Sequence, residues 1–237
     1  MKRIAIVPAF NEEAAIGGVI DELRAFDGGL DVVVIDDGSY DKTAANAREH
    51  GARVLTLPFN LGIGGAVQTG FRYAAEQGYE LAVRVDGDGQ HDPAELAELV
   101  AVVVRGDADI CVGSRFAGVD GYRSSAVRRV GIRILAGTVS ALTRQRVTDT
   151  TSGFQALNRR AIELFAADYP HDYPEVEAAL MLHKHRLRMA EVPVRMRERA
   201  AGTSSIRGLQ TVYYMAKVML AILIGALRRR ATPLEDG

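Results

Sequence analysis

Apolar and polar positions alternate in blocks along the first half of the chain. The run 3–8, RIAIVP, is short and apolar. Residues 11–26, NEEAAIGGVIDELRAF, place their apolar positions at helical spacing. Asp31–Asp36, DVVVID, is β-branched and continuous, as a strand buried on both faces should be. The same alternation repeats three times. The segment 41–50 reads as a helix with Ser39 or Asp41 as N-cap, and 52–58, ARVLTLP, as a third strand. A helix over 64–78 closes on Gly78, and 80–86, ELAVRVD, is a fourth strand. Pro93 opens a helix over 93–105, and 109–114, DICVGS, is a fifth strand. Strands linked by helices predict a parallel sheet covered on both faces, with ligands at the carboxyl ends of its strands.

The second half is less regular. It predicts a helix over 124–142, a turn and then a helix over 148–165, and a helix over 173–185. A strand over 187–198, a loop over 197–206 and an apolar final helix over 209–230 follow. The tail 231–237 is expected to be disordered. Within the last helix, 212–227 is almost entirely apolar, with Lys217 inside and Arg228, Arg229 and Arg230 after it. A spanning helix needs about 20 apolar residues, and this run is shorter. It suits a membrane surface or a homo-oligomer contact.

Composition narrows the picture. The 237 residues are 48% hydrophobic and 25% charged, enough for one large domain with a core. Lone Cys111 lies in a strand-like run, which excludes an internal disulfide and suits a reducing compartment. Met1-Lys2-Arg3 leads straight into the first strand, and no signal peptide is expected. Residues 1–120 carry 10 Lys and Arg against 20 Asp and Glu, a net −10; residues 121–237 carry 19 against 10, a net +9. Two halves of opposite charge suggest two tasks. The basic residues form no long tract interleaved with aromatics, so nucleic acid is not the expected partner.

The candidate chemistry sits where the first five strands end. Those ends are Pro8 to Glu12, Asp36 to Ser39, Asn60 to Gly62, Asp86 to Asp88 and Gly113 to Arg115. The turn after the fourth strand, DGDGQHDP, holds Asp86, Asp88 and Asp92. An EF-hand needs an acid at its fifth position, glycine at its sixth and glutamate at its twelfth. Here those are Gln90, His91 and Ala97. GIGGAVQTG is an imperfect dinucleotide fingerprint after the wrong strand, and no P-loop motif occurs. A helix cap explains Asp92 but not Asp86 and Asp88. The remaining reading is a hard divalent cation, Mg²⁺ or Mn²⁺, which takes few carboxylates and completes its shell with water and phosphate oxygens.

The motifs VPAFNEE, VIDDGSYDKT, NLGIGGAVQTG, DGDGQHDP, GSR and DTTSGFQALNRRAI stand in an order that resembles family 2 glycosyltransferases. The resemblance covers about residues 3–207. It is strongest to the branch of dolichyl-phosphate mannose synthases and polyprenyl-phosphate glycosyltransferases. It implies an α/β, Rossmann-like GT-A fold with a mostly parallel sheet, followed by the C-terminal apolar helix. Residues 1–207 would form the catalytic domain, with 1–120 as the nucleotide-sugar and metal half and 121–207 as the acceptor half. Residues 208–230 would make the membrane-surface or oligomer contact.

The resemblance also implies an inverting transfer from a nucleotide-diphosphate sugar (GDP- or UDP-linked) to polyprenyl phosphate, with Mg²⁺ or Mn²⁺, on the cytoplasmic face of the plasma membrane. Pro8, Phe10, Asn11, Glu12 and Asp37 would line the nucleoside pocket. Asp86, Asp88 and Gln90 would hold metal and diphosphate, with Asp88 in the catalytic set. Arg115 and Arg129 would face the acceptor phosphate, and Arg199 the diphosphate or acceptor. Planar guanidinium groups suit phosphate. Arg128, Arg133, Arg144 and Arg146 carry no such match.

An acceptor phosphate is already an anion and needs no strong base. A hydroxyl acceptor, on a glycan or small metabolite, needs a carboxylate, and Asp149 is the candidate; the alternative is that Asp149 caps its turn. His171, Asp172 and Glu175, in YPHDYPEVE, depart from the family pattern. His183 and His185 are expected at the surface. A non-catalytic nucleotide-sugar binder and a nucleotidyltransferase are the rival readings. The latter usually carries a Gly-rich, Lys-containing loop near the first strand, which VPAFNEE lacks.

Overall fold

The computed structural model describes residues 1–117, 126–143, 145, 147–149, 151–170 and 174–197, and of 126–133 and 174–175 the helical backbone alone. Seven strands form one sheet in the order β3-β2-β1-β4-β6-β5-β7. They are β1 (Arg3–Ala9), β2 (Asp31–Asp36), β3 (Arg53–Thr56), β4 (Leu81–Arg84), β5 (Ile110–Ser114), β6 (Gln155–Asn158) and β7 (Met189–Pro193). All pairings are parallel except those of β6, which runs antiparallel to both β4 and β5.

The helices are α1 (Ile16–Phe26), α2 (Thr43–Glu49), α3 (Gly62–Glu76), α4 (Leu96–Val104), α5 (Ala126–Thr143), α6 (Arg159–Ala167) and α7 (Pro174–Lys184). Period-two alternation in the strands divides the core. Ala5 and Val7 face the layer of α1, α2 and α4. Ile4 and Ile6 face α3, α6 and α7. Each buried aliphatic side chain contributes roughly 1.5–3 kcal/mol of transfer free energy. Under the second layer Phe71, Phe165 and Tyr169 form a triangle with centroids 5.0–5.6 Å apart. A smaller cluster packs α5 on α7 through Leu135, Val139 and Leu180.

The five expected strands and their helices are present, and the caps follow side-chain chemistry. An exception is α2, whose N-cap is Lys42 with no side-chain bond, in place of the expected Ser39 or Asp41; Asp41 accepts from the Thr43 N–H at 2.9 Å from one residue before the cap. Asp92 accepts from the Ala94 N–H at 3.0 Å, ahead of a 3₁₀ turn at Pro93–Glu95 that leads into α4. Gly78 ends α3 with φ 71°. One expectation is corrected: 148–165 is not turn and helix but turn, strand and helix. β6, QALN, runs without a break into the helical spacing of Leu157, Ala161 and Leu164 and so reads as the start of α6, which Asn158 caps. Cys111 is buried, and His183 and His185 are exposed. No helix among the described residues is long and apolar enough to cross a membrane; segment 208–230 and the tail lie outside them.

Close packing of α3 depends on Gly70. A Cβ there would overlap Ile6 Cγ2 and sit 3.4 Å from Ile35 Cγ1, both buried in the sheet. Gly18 is also helical, but nothing lies within 4 Å of its Cβ position. Gly70→Ala is expected to destabilise by about 1–3 kcal/mol through overpacking. Gly18→Ala is expected to stabilise by about 0.5–1 kcal/mol. Urea midpoints of the two variants check the pair of signs.

Candidate active site

Parallel register brings the strand ends to one edge: Ala9 lies beside Asp36, and Asp36 beside Thr56. The first turns interlock there. The Asp37 N–H donates to Ala9 O at 2.9 Å, and the Gly87 N–H to Pro8 O at 3.2 Å. Asn11 holds a left-handed φ of 55°, which asparagine tolerates. Its amide N–H donates to Ser39 Oγ at 3.0 Å, and its Oδ1 accepts from the Tyr40 N–H at 2.9 Å. The Phe10 ring meets Tyr40 edge to face at 6.0 Å, and both are exposed. The Glu12 N–H donates to Thr43 Oγ1 at 2.8 Å. Asp37 is buried, and Oδ1 accepts from the Leu61 N–H at 2.7 Å. Burial pushes the Asp37 pKa up, more than its backbone donors pull it down. Gly38, at φ 73°, lets the 59–60 backbone approach: a Cβ there would stand 2.9 Å from the Phe59 carbonyl carbon.

Next along the edge is the acidic turn. Arg84 and Asp86 are two apart in an extended chain and share a face. Arg84 is 1% exposed; its Nη1 donates to Tyr169 Oη at 3.2 Å, and its Nη2 stands 3.5 Å from Asp86 Oδ1. The Asp86 N–H donates to His91 Nδ1 at 3.1 Å, which puts the ring proton on Nε2, 3.8 Å from Asp86 Oδ2. Burial lowers the His91 pKa and keeps the ring neutral. Burial alone would raise the Asp86 pKa; Arg84 foremost outweighs it and holds the carboxyl below its ordinary value. Asp86 Oδ1 is buried and has no hydrogen-bond partner among the described residues. Asp88 is buried, and its Oδ1 accepts from the Gln90 N–H at 3.0 Å. Gln90 O accepts from the Arg197 N–H at 2.9 Å, and Arg197 reaches Asp92 at 3.1 Å and Glu22 at 2.7 Å.

The antiparallel β6 adds a third wall. Its entry turn brings Asp149 to Arg115, whose Nε and Nη2 donate to the two carboxylate oxygens at 2.7 and 2.8 Å. The Arg115 and Thr151 N–H groups donate to the same carboxylate at 3.2 and 3.1 Å. Burial opposes ionisation of Asp149, but these bonds win and hold its pKa below the ordinary value. Glu191 of β7 accepts from the Thr148 and Asp149 N–H groups at 2.9 and 3.1 Å and fixes the turn; burial nevertheless pushes its own pKa up. Gly153 closes on the acidic turn: a Cβ would lie 2.8 Å from both Asp86 oxygens.

The edge thus unites Pro8, Phe10, Asn11, Glu12, Asp37, Asp86, Asp88, Gln90, Arg115 and Asp149. Two expectations change in kind. Asp149 is a charged, chelated partner of Arg115 and caps its turn, rather than a carboxylate free to take a proton. Arg115 donates to Asp149 and Thr151, which adds a part in holding the turn to the acceptor contact expected of it. The side chains of Arg128, Arg129, Arg133 and Glu175, and the whole of Arg144, Arg146, His171, Asp172 and Arg199, lie outside the described residues. Arg84, His91, Gly153, Glu191 and Arg197 were not foreseen. Arg84 alone left a signal, as a charge within an apolar strand. Among the described residues no three His, Cys, Asp or Glu side chains are grouped to hold a metal. A groove of about 550 Å³ beside Arg24, Arg53, Tyr73 and Tyr79 opens where β2 and β3 begin, away from these carboxylates.

The sequence model of glycosyl transferase family 2 matches residues 4–165, and the chain belongs to that family. It is 28% identical over 232 residues to the UDP-N-acetylglucosamine–dolichyl-phosphate N-acetylglucosaminyltransferase of Methanococcus voltae, covering 88% of this chain and 92% of that one. It is 29% identical over 227 residues to the polyprenol monophosphomannose synthase of Mycolicibacterium smegmatis, covering 92% and 85%. The fold matches that of glucosyl-3-phosphoglycerate synthase from Mycobacterium tuberculosis in complex with Mn²⁺, UDP and phosphoglyceric acid. The TM-score is 0.71 at 23% identity, covering 97% of this chain and 80% of that one. The protein is a glycosyltransferase of GT-A fold.

The Arg115–Asp149 pair yields a stability test. Breaking a buried pair costs about 3–5 kcal/mol, so Asp149→Asn should lower stability by that order at neutral pH. The Asp149 pKa is lower folded than unfolded, so the pair's contribution is complete above the unfolded value of about 4 and fades on acidification below it. Urea unfolding from pH 7 to 3 should show a constant gap between wild type and Asp149→Asn down to about pH 5, closing below about pH 4.

Proposed function

We propose that this glycosyltransferase moves a sugar, with inversion, from a nucleotide-diphosphate sugar to a polyprenyl phosphate, using Mg²⁺ or Mn²⁺. The observation that carries the reading is Asp86 Oδ1, a buried carboxylate oxygen with no hydrogen-bond partner among the described residues, beside the second carboxylate of Asp88. Such an oxygen is costly to bury unless a ligand completes it. Two carboxylates on a glycine-containing turn fit a hard cation that takes few protein ligands and completes its shell with diphosphate and water. Asp88 and Asp86, with Gln90, would hold the ion and the diphosphate. When bound, the cation would neutralise charge on the departing nucleoside diphosphate. Asp37, Asn11 and Phe10 would seat the nucleoside.

The acceptor is argued from Asp149. A general base works best with a pKa near the operating pH and a free lone pair. Asp149 is held below the ordinary carboxylate value and is bonded by Arg115 through both oxygens. That disfavours it as the base a hydroxyl acceptor would need and suits an acceptor that arrives as an anion. Catalysis then rests on placement and charge. Two relatives are named for dolichyl-phosphate and polyprenol substrates, and their names differ in the sugar. Arg129 and Arg199 remain the proposed contacts to phosphate, and 208–230 the proposed contact with the cytoplasmic membrane surface or a second subunit. Transfer to a hydroxyl of a small phosphorylated metabolite is the second reading, supported by the phosphoglyceric acid in the structural neighbour's complex.

The test pairs donor binding with transfer. Thermal shift against UDP-, GDP- and dTDP-sugars should show a Mn²⁺-dependent rise for one nucleotide, lost in Asp88→Asn. Transfer of labelled sugar to polyprenyl phosphate should fall at least about 100-fold in the same variant, and the wild-type product should have the inverted anomeric configuration. Transfer to phosphoglycerate but not to polyprenyl phosphate would select the second reading.

A further inference from the structure

A fully buried arginine at the end of a central strand is expensive, and an aliphatic residue at position 84 would fill the space at lower cost. Arg84 is held in an unusual way. Its Nη1 donates to Tyr169 Oη at 3.2 Å, and the Tyr169 ring is locked against Phe71 and Phe165. Its Nη2 stands 3.5 Å from Asp86 Oδ1. That is near enough for strong Coulomb attraction in a buried site and too far for a good hydrogen bond. The contrast with Arg115 and Asp149 is direct, because that pair closes at 2.7 and 2.8 Å. The turn entering β6 reinforces the arrangement. A Cβ on Gly153 would lie 2.9 Å from Arg84 Nη2 and 2.8 Å from Asp86 Oδ1, so glycine lets the turn close over both groups.

We propose that Arg84, anchored by the Tyr169 hydroxyl, is a positioning residue that aims the partly exposed Asp86 carboxylate toward the ligand at the sheet edge. Arg84 is not proposed to touch donor or acceptor; it acts through Asp86. Tyr169 contributes to the stand-off, since its hydroxyl takes one arm of the guanidinium. This assignment rests on the donor-site reading above.

The test is a double-mutant cycle on the full chain, read by calorimetric titration with Mn²⁺ plus UDP and Mn²⁺ plus GDP. Asp86→Asn and Arg84→Met should each weaken binding of the preferred nucleotide by about tenfold or more. The double variant should bind no worse than Asp86→Asn alone, a coupling of about 1.4 kcal/mol per tenfold. Tyr169→Phe keeps the ring and removes only the anchoring hydroxyl; it should weaken binding several-fold with an unchanged far-ultraviolet circular dichroism spectrum. A purely structural Arg84 would lower the unfolding midpoint and leave nucleotide binding unchanged, which overturns the proposal. Effects of Arg84→Met and Asp86→Asn that multiply in the double variant also overturn it. If Arg84→Met does not fold, unchanged binding by Tyr169→Phe overturns it instead. A wild-type chain that binds neither nucleotide removes the donor-site reading and this inference together; a wild type that binds while the variants match it removes this inference alone.

Discussion

The reversal of β6 is the constraint on which the site depends. Gln155 pairs with Arg84 on one side and with Val112 on the other, so β6 is wedged between the two strands that carry the acidic turn and Arg115. Were β6 parallel, the turn before it would lie at the far edge of the sheet, and Asp149 and Gly153 would be a strand's length from their partners. Running antiparallel, β6 begins where β4 and β5 end. Its entry turn therefore reaches Arg115 through Asp149 and covers Asp86 through Gly153. Hydrogen bonds in an antiparallel ladder run perpendicular to the strands, which fixes this register closely.

Burial then makes every charge at that edge depend on another. Asp149 is buried and Asp86 is a third exposed, yet both have side chains close to arginine and both are held below the ordinary carboxylate pKa. They are satisfied differently. Asp149 takes two guanidinium donors and two backbone donors, and its turn is fixed by Glu191. Asp86 faces Arg84 at 3.5 Å and His91 at 3.8 Å, and one of its oxygens makes no bond among the described residues. Equal chemistry is thus completed unequally at the two carboxylates. Because a half-satisfied buried group is costly, the open oxygen at Asp86 is the feature that packing alone does not account for.

Much of this edge was legible because it follows from local rules. Continuous apolar runs gave β1, β2 and β5, and strand ends in a parallel sheet share an edge. Asp37, Asp86 and Asp88 could thus be grouped although 51 positions separate the first from the last. What was missed is non-local or short. β6 runs straight into the apolar spacing of α6, and the direction of a strand is absent from its own pattern. Arg197 holds the acidic turn from more than a hundred residues away, and Glu191 holds the turn of Asp149 from 42. Neither leaves a periodic signal. Arg84 was visible as a charge in an apolar strand, but its partner Tyr169 is 85 residues distant. The roles first given to Arg115 and Asp149 treated each side chain alone; the fold makes them one unit.

That pairing has a consequence for how the two charged halves of the chain meet. Arg115 belongs to the acidic half and Asp149 to the basic half, yet each neutralises the other, so the pair adds little net field at the edge. The field left there comes from carboxylates on the nucleoside side and from whatever cations the second half presents. A diphosphate can approach the acidic side only with positive charge interposed between it and Asp86 and Asp88. An anionic acceptor met by arginine would need no such screen. On the proposed reading, the donor would be drawn in with a cation and an anionic acceptor by arginines of the second half. A neutral hydroxyl acceptor would need a base, and Asp149 is already bonded by Arg115 through both oxygens.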